Sequence, residues 1–256
     1  MNNKQNNPVI CQFSCGAASA VATKLALARY GADNVQIVNA YIQEEHPDNR
    51  RFLADCEKWF GKKIIILQDR KYDASTMEVF RRERFIKSRH GAPCSGRLKR
   101  RPLDGWLAEQ GNVSATVIFG FTVEEANRFE NILDRVPYAV APLIDAGLRK
   151  SDCLAMIERA GIKLPMMYQL GYSNANCIGC PKGGAGYWNK IRRDFPDRYA
   201  AMSELQESIG PNSYFLADRD GSRISLKDLD PDAGRHNTVL PDCSFFCEIA
   251  ESGYTG

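Results

Sequence analysis

An open α/β fold, with a mostly parallel sheet covered by helices on both faces, is what this sequence predicts, and three observations predict it. Short apolar runs bounded by turn residues alternate with segments whose apolar residues recur at helical spacing. The first run stops at a loop of small residues, Ser14-Cys15-Gly16-Ala17-Ala18-Ser19, that opens directly into a helical pattern. The chain has 256 residues, 44% of them apolar, which is enough for one sizeable core with additions rather than two full domains. Alternating β and α elements place helices on both faces of a parallel sheet, so its strands are buried and continuously apolar.

The elements follow in order. Pro8-Val9-Ile10-Cys11-Gln12-Phe13 reads as the first strand, and Val21, Leu25 and Ala28 then mark a helix that stops at Gly31. Val35-Gln36-Ile37-Val38-Asn39-Ala40-Tyr41 is a second strand, Asp48–Phe60 a helix with a cap-like Asp at its start, and Ile64-Ile65-Ile66-Leu67 a third strand. Residues 75–89 form a helix rich in Arg and Lys, and residues 101–110 another. Ala115-Thr116-Val117-Ile118-Phe119 is a buried strand ending at Gly120, a further strand lies at Tyr138-Ala139-Val140, and residues 151–160 are helical. Beyond Cys180 come a basic, aromatic stretch over 187–199, a helix over 202–209, and a polar tail that carries Cys243 and Cys247.

Charge and cysteine content narrow the function classes. The 34 basic residues are nearly balanced by 31 acidic ones, so the net charge of +3 does not by itself mark a nucleic-acid binder. The start is polar and Asn-rich, without an apolar signal region, and no run of about 18 apolar residues occurs; a soluble, cytoplasmic protein is expected. Nine cysteines, an odd number, then read as reduced thiols and metal ligands rather than a disulfide framework.

Cys177-Ile178-Gly179-Cys180, joined by the distant Cys94, is the strongest chemical signal. Two thiolates from one turn and others from elsewhere suit an iron–sulfur cluster. A closed zinc site is the competing reading, though its second pair would normally be another knuckle, and Cys94 stands alone. A redox dithiol is a third reading, with no thioredoxin-like setting around it. Cys11, Cys56 and Cys153 lie in apolar patterns and are expected in the core. The Ser14 to Ser19 loop suits backbone N–H groups approaching an anion, and equally a plain strand-to-helix turn; with no Gly-Lys-Ser/Thr after it, it is not a Walker A loop.

Phe13-Ser14-Cys15-Gly16-Ala17-Ala18-Ser19-Ala20-Val21 resembles the modified pyrophosphate-binding loop of the adenylyl-sulfate and phosphoadenylyl-sulfate reductase family, in the adenine nucleotide alpha-hydrolase superfamily. Glu44-Glu45 resembles that family's acidic strand end, and Gly120-Phe121-Thr122-Val123-Glu124-Glu125-Ala126-Asn127-Arg128 its Gly-Ile-Arg-x-x-Glu-Ser-x-Arg segment. Pro142-Leu143 and Leu164-Pro165-Met166-Met167-Tyr168-Gln169-Leu170-Gly171-Tyr172 are similar to the stretch before its Cys-x-x-Cys. Pro93-Cys94-Ser95 with Lys99, Pro102 and Leu103 fits the cluster-bearing branch, except that Ser95 replaces the second cysteine of a tandem pair. The resemblance divides the chain into a polar tail (1–8), an adenine nucleotide alpha-hydrolase-like domain with the iron–sulfur site (9–182) and a diverged extension (183–256).

The resemblance implies a [4Fe–4S] cluster on Cys94, Cys177 and Cys180, with Cys247, Cys243 or an open position as the fourth site. It implies nucleotide or anion contacts from Ser14, Cys15, Gly16, Ser19, Lys99 and Arg128. Cys243 takes the place of the tail nucleophile that attacks an adenylylated sulfate, with a thioredoxin-like protein as reductant and sulfite as product. The family's Glu-Cys-Gly-x-His tail is not reproduced, since no His follows Cys243. Two further readings stay open. One is an iron–sulfur-dependent sulfurtransferase that thiolates a nucleic acid, for which Lys182, Lys190, Arg192 and Arg193 around Tyr187 and Trp188 offer a contact surface, although Ala18 replaces the loop Asp of the ATP-using relatives. The other is a non-catalytic nucleotide-binding module.

Overall fold

Five strands pair in parallel in the order β3-β2-β1-β4-β5, so the chain builds outward from β1 on one side and then crosses to β4 on the other. The computed structural model describes residues 8–88, 91–111, 115–218, 220–235, 239–246 and 250. The first half comprises β1 (Val9–Gln12), α1 (Ala17–Tyr30), β2 (Val35–Ala40), α2 (Asp48–Phe60), β3 (Ile65–Leu67) and α3 (Thr76–Glu83). There follow α4 (Pro93–Ser95), a π-helical turn (Gly96–Arg100), α5 (Arg101–Glu109), β4 (Thr116–Ile118), α6 (Ala126–Leu133), β5 (Ala139–Val140), α7 (Pro142–Asp145), α8 (Lys150–Arg159) and α9 (Met166–Gln169). The C-terminal part adds α10 (Ala185–Asp194), α11 (Pro196–Ile209) and an antiparallel pair, β6 (Leu216–Ala217) with β7 (Arg223–Ile224).

The period of two in β1 assigns its residues to two cores. Val9 and Cys11, followed by Phe13, face α1, α2 and α8, where they pack with Val21, Phe52, Phe60, Cys153 and Ile157. Ile10 faces the opposite layer with Val38, Leu67, Leu103 and the tail residue Phe245. Cys11, Cys56 and Cys153 are fully buried, and burial pushes the thiols of Cys11 and Cys153 up to about 12, so they remain protonated packing groups. A third core joins Ile42, Phe80 and Leu98 to Trp188, Ile191, Met202 and Leu205, packing the C-terminal helices against the segments that carry Cys94 and Cys180.

Several boundaries differ from the sequence expectation for local reasons. The helix expected over 75–89 ends at Glu83, because Arg84 takes a left-handed backbone (φ 49°) and its N–H bonds back to Phe80. Ser75 caps its start by accepting the Glu78 N–H. The helix expected over 101–110 is α5, and it continues directly from the π-helical turn and from α4, whose Pro93 lacks an N–H and so suits a first helical turn. Residues 187–199 are not an open basic stretch but parts of α10 and α11, divided at Pro196. Trp188 is fully buried and Tyr187 nearly so, which removes both rings from any base-stacking surface. The cations around them are engaged as well: Lys190 pairs with Asp194, and Arg192 donates to the Leu229 carbonyl. No helix among the described residues is long and apolar enough to cross a membrane.

Candidate functional site

Where the sheet reverses its direction of growth, the loops leaving β1 and β4 diverge, and such a gap at the carboxyl ends of the strands is the usual ligand crevice of an open α/β sheet. A small cleft, open to solvent, lies there. Its walls are Gln12, Ser14 and Ser19 from the first loop, Phe119 and Phe121 beside β4, and the tail at Asp242 and Cys243. Ser19 shapes the loop: its hydroxyl accepts from the Ser14 N–H (3.1 Å) and the Ser14 hydroxyl (3.1 Å), and donates to the Gly16 carbonyl (2.9 Å). Gly120 allows β4 to approach this loop, because a β-carbon there would stand 2.8 Å from the Ser19 backbone.

Cys15 occupies the turn of the loop with φ 58°, a conformation side chains rarely adopt. Its thiol points into the protein, fully buried, 3.6 Å from the Asn39 amide and 3.9 Å from Arg50. Burial, reinforced by Glu45, holds that thiol well above its ordinary pKa. Cys15 therefore contributes backbone geometry, not a thiolate, to the loop between β1 and α1.

The start of α1 faces a buried polar group. The Ala17 N–H donates to the Tyr168 hydroxyl (3.3 Å), and a β-carbon at Gly16 would stand 3.5 Å from that hydroxyl and 3.9 Å from the Asp242 carboxylate. Lys150 reaches the Asp242 carboxylate and lies over the Tyr168 ring. Burial works against the Lys150 charge, but Asp242 and then Tyr168 outweigh it and raise the lysine above its ordinary range. Arg128 is buried, pairs with Glu125, stacks on Phe121 and donates to the Asp242 carbonyl (3.3 Å). Arg128 thus contacts the backbone of Asp242, which lines the cleft, while Lys150, Tyr168 and Asp242 are polar groups that the sequence reading did not single out.

The thiols lie on the other side of the tail. Cys94 is set at the start of the helical run after Pro93, while Cys177 and Cys180 flank a turn in which Gly179 takes φ 81°. The Tyr187 hydroxyl fixes this turn by accepting the N–H groups of Gly179 (3.1 Å) and Cys180 (3.0 Å) and donating to the Cys177 carbonyl (3.3 Å). Burial raises all three thiols; beyond that, Cys94 and Cys180 each sense Cys243 and Cys177 senses Glu45, so the groups share one electrostatic neighbourhood. Among the described residues, no three His, Cys, Asp or Glu side chains are arranged around a single metal ion.

Lys99 sits within this neighbourhood and is also sensed by Cys15 of the Ser14 to Ser19 loop. Its side chain is buried; burial disfavours its charge, but Cys243, Glu45 and Cys177 more than compensate and raise it above its ordinary range. Glu45 is held by Asn49 (3.2 Å) and Arg50 (3.1 Å), while Glu44 accepts from the Ser75 hydroxyl and the Thr76 N–H. The tail is docked by two asparagines immediately before Cys177. Asn174 donates to the Leu240 carbonyl (2.9 Å); Asn176 donates to the Pro241 carbonyl (3.1 Å) and accepts the Cys243 N–H (3.0 Å). Their signal in the sequence is Ser173-Asn174-Ala175-Asn176, amides placed directly ahead of the Cys177–Cys180 turn. Cys247 lies outside the described residues.

The arrangement can bind an anionic, flat ligand at the switch point and present the Cys243 sulfur to it from the tail. Comparison with known proteins gives little further guidance. No family model matches the chain. It is 25% identical over 200 residues to an uncharacterised protein of Methanocaldococcus jannaschii, an alignment that takes in 75% of this chain and 40% of that protein, so the chain spans less than half of its relative's length.

Proposed function

We propose that the protein reduces an adenylylated sulfate to sulfite, with Cys243 as nucleophile and an iron–sulfur cluster on the neighbouring cysteines. The observation that carries this reading is the position of Cys243, which lines the switch-point cleft and lies within electrostatic reach of Lys99 and the other thiols. A cationic neighbour favours the thiolate, the form that attacks. The thiolate displaces the nucleotide from sulfur: an S–S bond forms, the S–O bond breaks, and the electron pair leaves with the nucleotide phosphate. Two electrons from a thioredoxin-like dithiol then release sulfite and regenerate Cys243, leaving the dithiol as a disulfide.

The chain's residues divide this work. The loop at Ser14 to Ser19 and the start of α1 receive the phosphate, Arg128 and Lys150, paired with Glu125 and Asp242, offer polar contacts beside it, and Asn176 positions the Cys243 backbone. The donor chemistry suits the cluster, since Cys94, Cys177 and Cys180 are thiols that share one electrostatic neighbourhood with Lys99; these residues would hold it, although they are not arranged around one metal position among the described residues. When bound, it supplies a polarisable charged group beside the sulfur chemistry.

A second reading has its own support. Ser95 stands where a fourth ligand is expected, and Cys94, Cys177 and Cys180 all sense Cys243, so Cys243 fits equally the place of fourth ligand in a protein that thiolates a nucleic acid or only binds nucleotide. Anaerobic preparation of wild type and Cys243→Ser separates the two. The reductase reading expects sulfite release lost and iron per chain unchanged in the variant; loss of iron together with activity, or a colourless protein holding zinc, overturns it.

A further inference from the structure

Gln12 ends β1 with its side chain 6% exposed on the wall of the cleft, and neither its amide nitrogen nor its amide oxygen has a hydrogen-bond partner among the described residues. Buried polar side chains are nearly always paired, because leaving a donor and an acceptor unmatched forfeits their hydration for nothing. The sequence position makes this more pointed. Gln12 shares its sheet face with Ile10 and is followed by the anion loop, in a strand where the other three residues are apolar. An apolar residue would fill the place without that cost, so the amide calls for a partner that the described residues do not supply.

The surroundings state what that ligand is. Phe119 and Phe121 border the cleft with rings 5.6 Å apart and nearly parallel (15°); both are almost wholly buried against Phe129 and Phe246, and they give this side of the cleft an apolar lining. Ser14, Ser19 and the start of α1 lie at the polar end, suited to a phosphate. A carboxamide offers a donor and an acceptor side by side, which matches the adjacent 6-amino group and ring nitrogen of adenine.

We infer that Gln12 is the residue that selects the base, pairing its carboxamide with the amino edge of an adenine held against Phe119 and Phe121. The inference rests on the adenine-nucleotide reading above and adds to it the residue that discriminates. Gln12 touches the base, not the reacting sulfur, so it governs binding rather than the chemical step.

The test is a binding cycle by calorimetry on the full chain, with AMP and with purine riboside 5′-monophosphate, which lacks only the 6-amino group. Wild type is expected to prefer AMP by roughly 10- to 100-fold. Gln12→Leu is expected to bind both nucleotides alike, at about the affinity of wild type for the analogue. The analogue comparison on wild type stands even if the variant fails to fold. Equal binding of the two nucleotides by wild type, or a preference that survives in Gln12→Leu, overturns the role of Gln12 while leaving the adenine-nucleotide reading in place. If wild type binds neither, the adenine reading itself falls and takes the inference with it.

Discussion

Asp242 and Lys150, 92 residues apart in sequence, form an ion pair against the loop that precedes α1. The pair closes the tail over the anion end of the cleft, since Arg128 donates to the carbonyl of the same aspartate. Its side chains are 25% and 18% exposed, so most of the hydration of both charges is lost and each depends on the other. Asp242→Asn should therefore cost about 1–3 kcal/mol of stability in urea denaturation. Combining it with Lys150→Met should recover much of that loss, because no buried charge is then left alone; additive losses in the double variant would show that the pair contributes nothing as a pair.

Gly120 tests whether the cleft depends on close packing of β4 against α1. An added β-carbon meets the Ser19 α-carbon and nitrogen at 2.8 Å, both backbone atoms that cannot rotate away. Gly120→Ala should destabilise the fold by about 1–3 kcal/mol and, by displacing the Ser14 to Ser19 loop, weaken nucleotide binding more than tenfold. Gly105, whose added β-carbon would meet nothing within 4 Å, is the control in which Ala should be neutral or stabilising.

Tyr187 links the aromatic core to the cysteine turn. Its hydroxyl is the acceptor for two backbone N–H groups, so Tyr187→Phe strands both in a buried place while leaving the ring packing with Tyr172 and Trp188 intact. The expected cost is about 1–3 kcal/mol, seen as a lower melting temperature. Looser Cys177 and Cys180 should also shorten the half-life of bound iron under chelator challenge several-fold, and unchanged metal retention would limit the hydroxyl to a packing role.

The parts of this protein that were legible in its sequence are those whose physics is local. Gly120, the small loop at Ser14 and the alternating apolar runs announce a parallel sheet with its crevice, because period and turn chemistry are written within a few residues of each other. The cysteine turn was legible for the same reason. What the sequence did not disclose is where the tail goes. Asn174 and Asn176 hold residues 240–243 through side-chain to backbone bonds spanning 65 to 67 positions, and no propensity marks such a contact. Tyr187 and Trp188 were misread because basic neighbours suggested a surface, whereas α10 directs the rings inward and lets the cations reach out to Asp194 and the Leu226 and Leu229 carbonyls. Gln12 was hidden inside an apolar run, and only its unmatched amide distinguishes it from a packing residue.

Asp48 gives the acid limb of the stability curve a specific origin. Its carboxylate takes two hydrogen bonds from Arg51 (2.7 and 2.8 Å) and one from the Met166 N–H (2.8 Å), tying the start of α2 to α9. The Arg51 bonds hold its pKa below the ordinary carboxylate value, partly offset by burial. A carboxyl group whose folded pKa is depressed binds its proton more readily when unfolded, so its stabilisation is present above the unfolded value of about 4 and disappears as pH falls through the folded one. Stability measured by urea midpoint should thus decline below pH about 4 with a slope that Asp48→Asn flattens, while the same substitution lowers stability at pH 7 by about 1–2 kcal/mol. A wild-type curve that the variant reproduces in shape at acid pH would assign that limb to other carboxylates, with Glu57 and Glu83, both also lowered by basic partners against burial, as the next to replace.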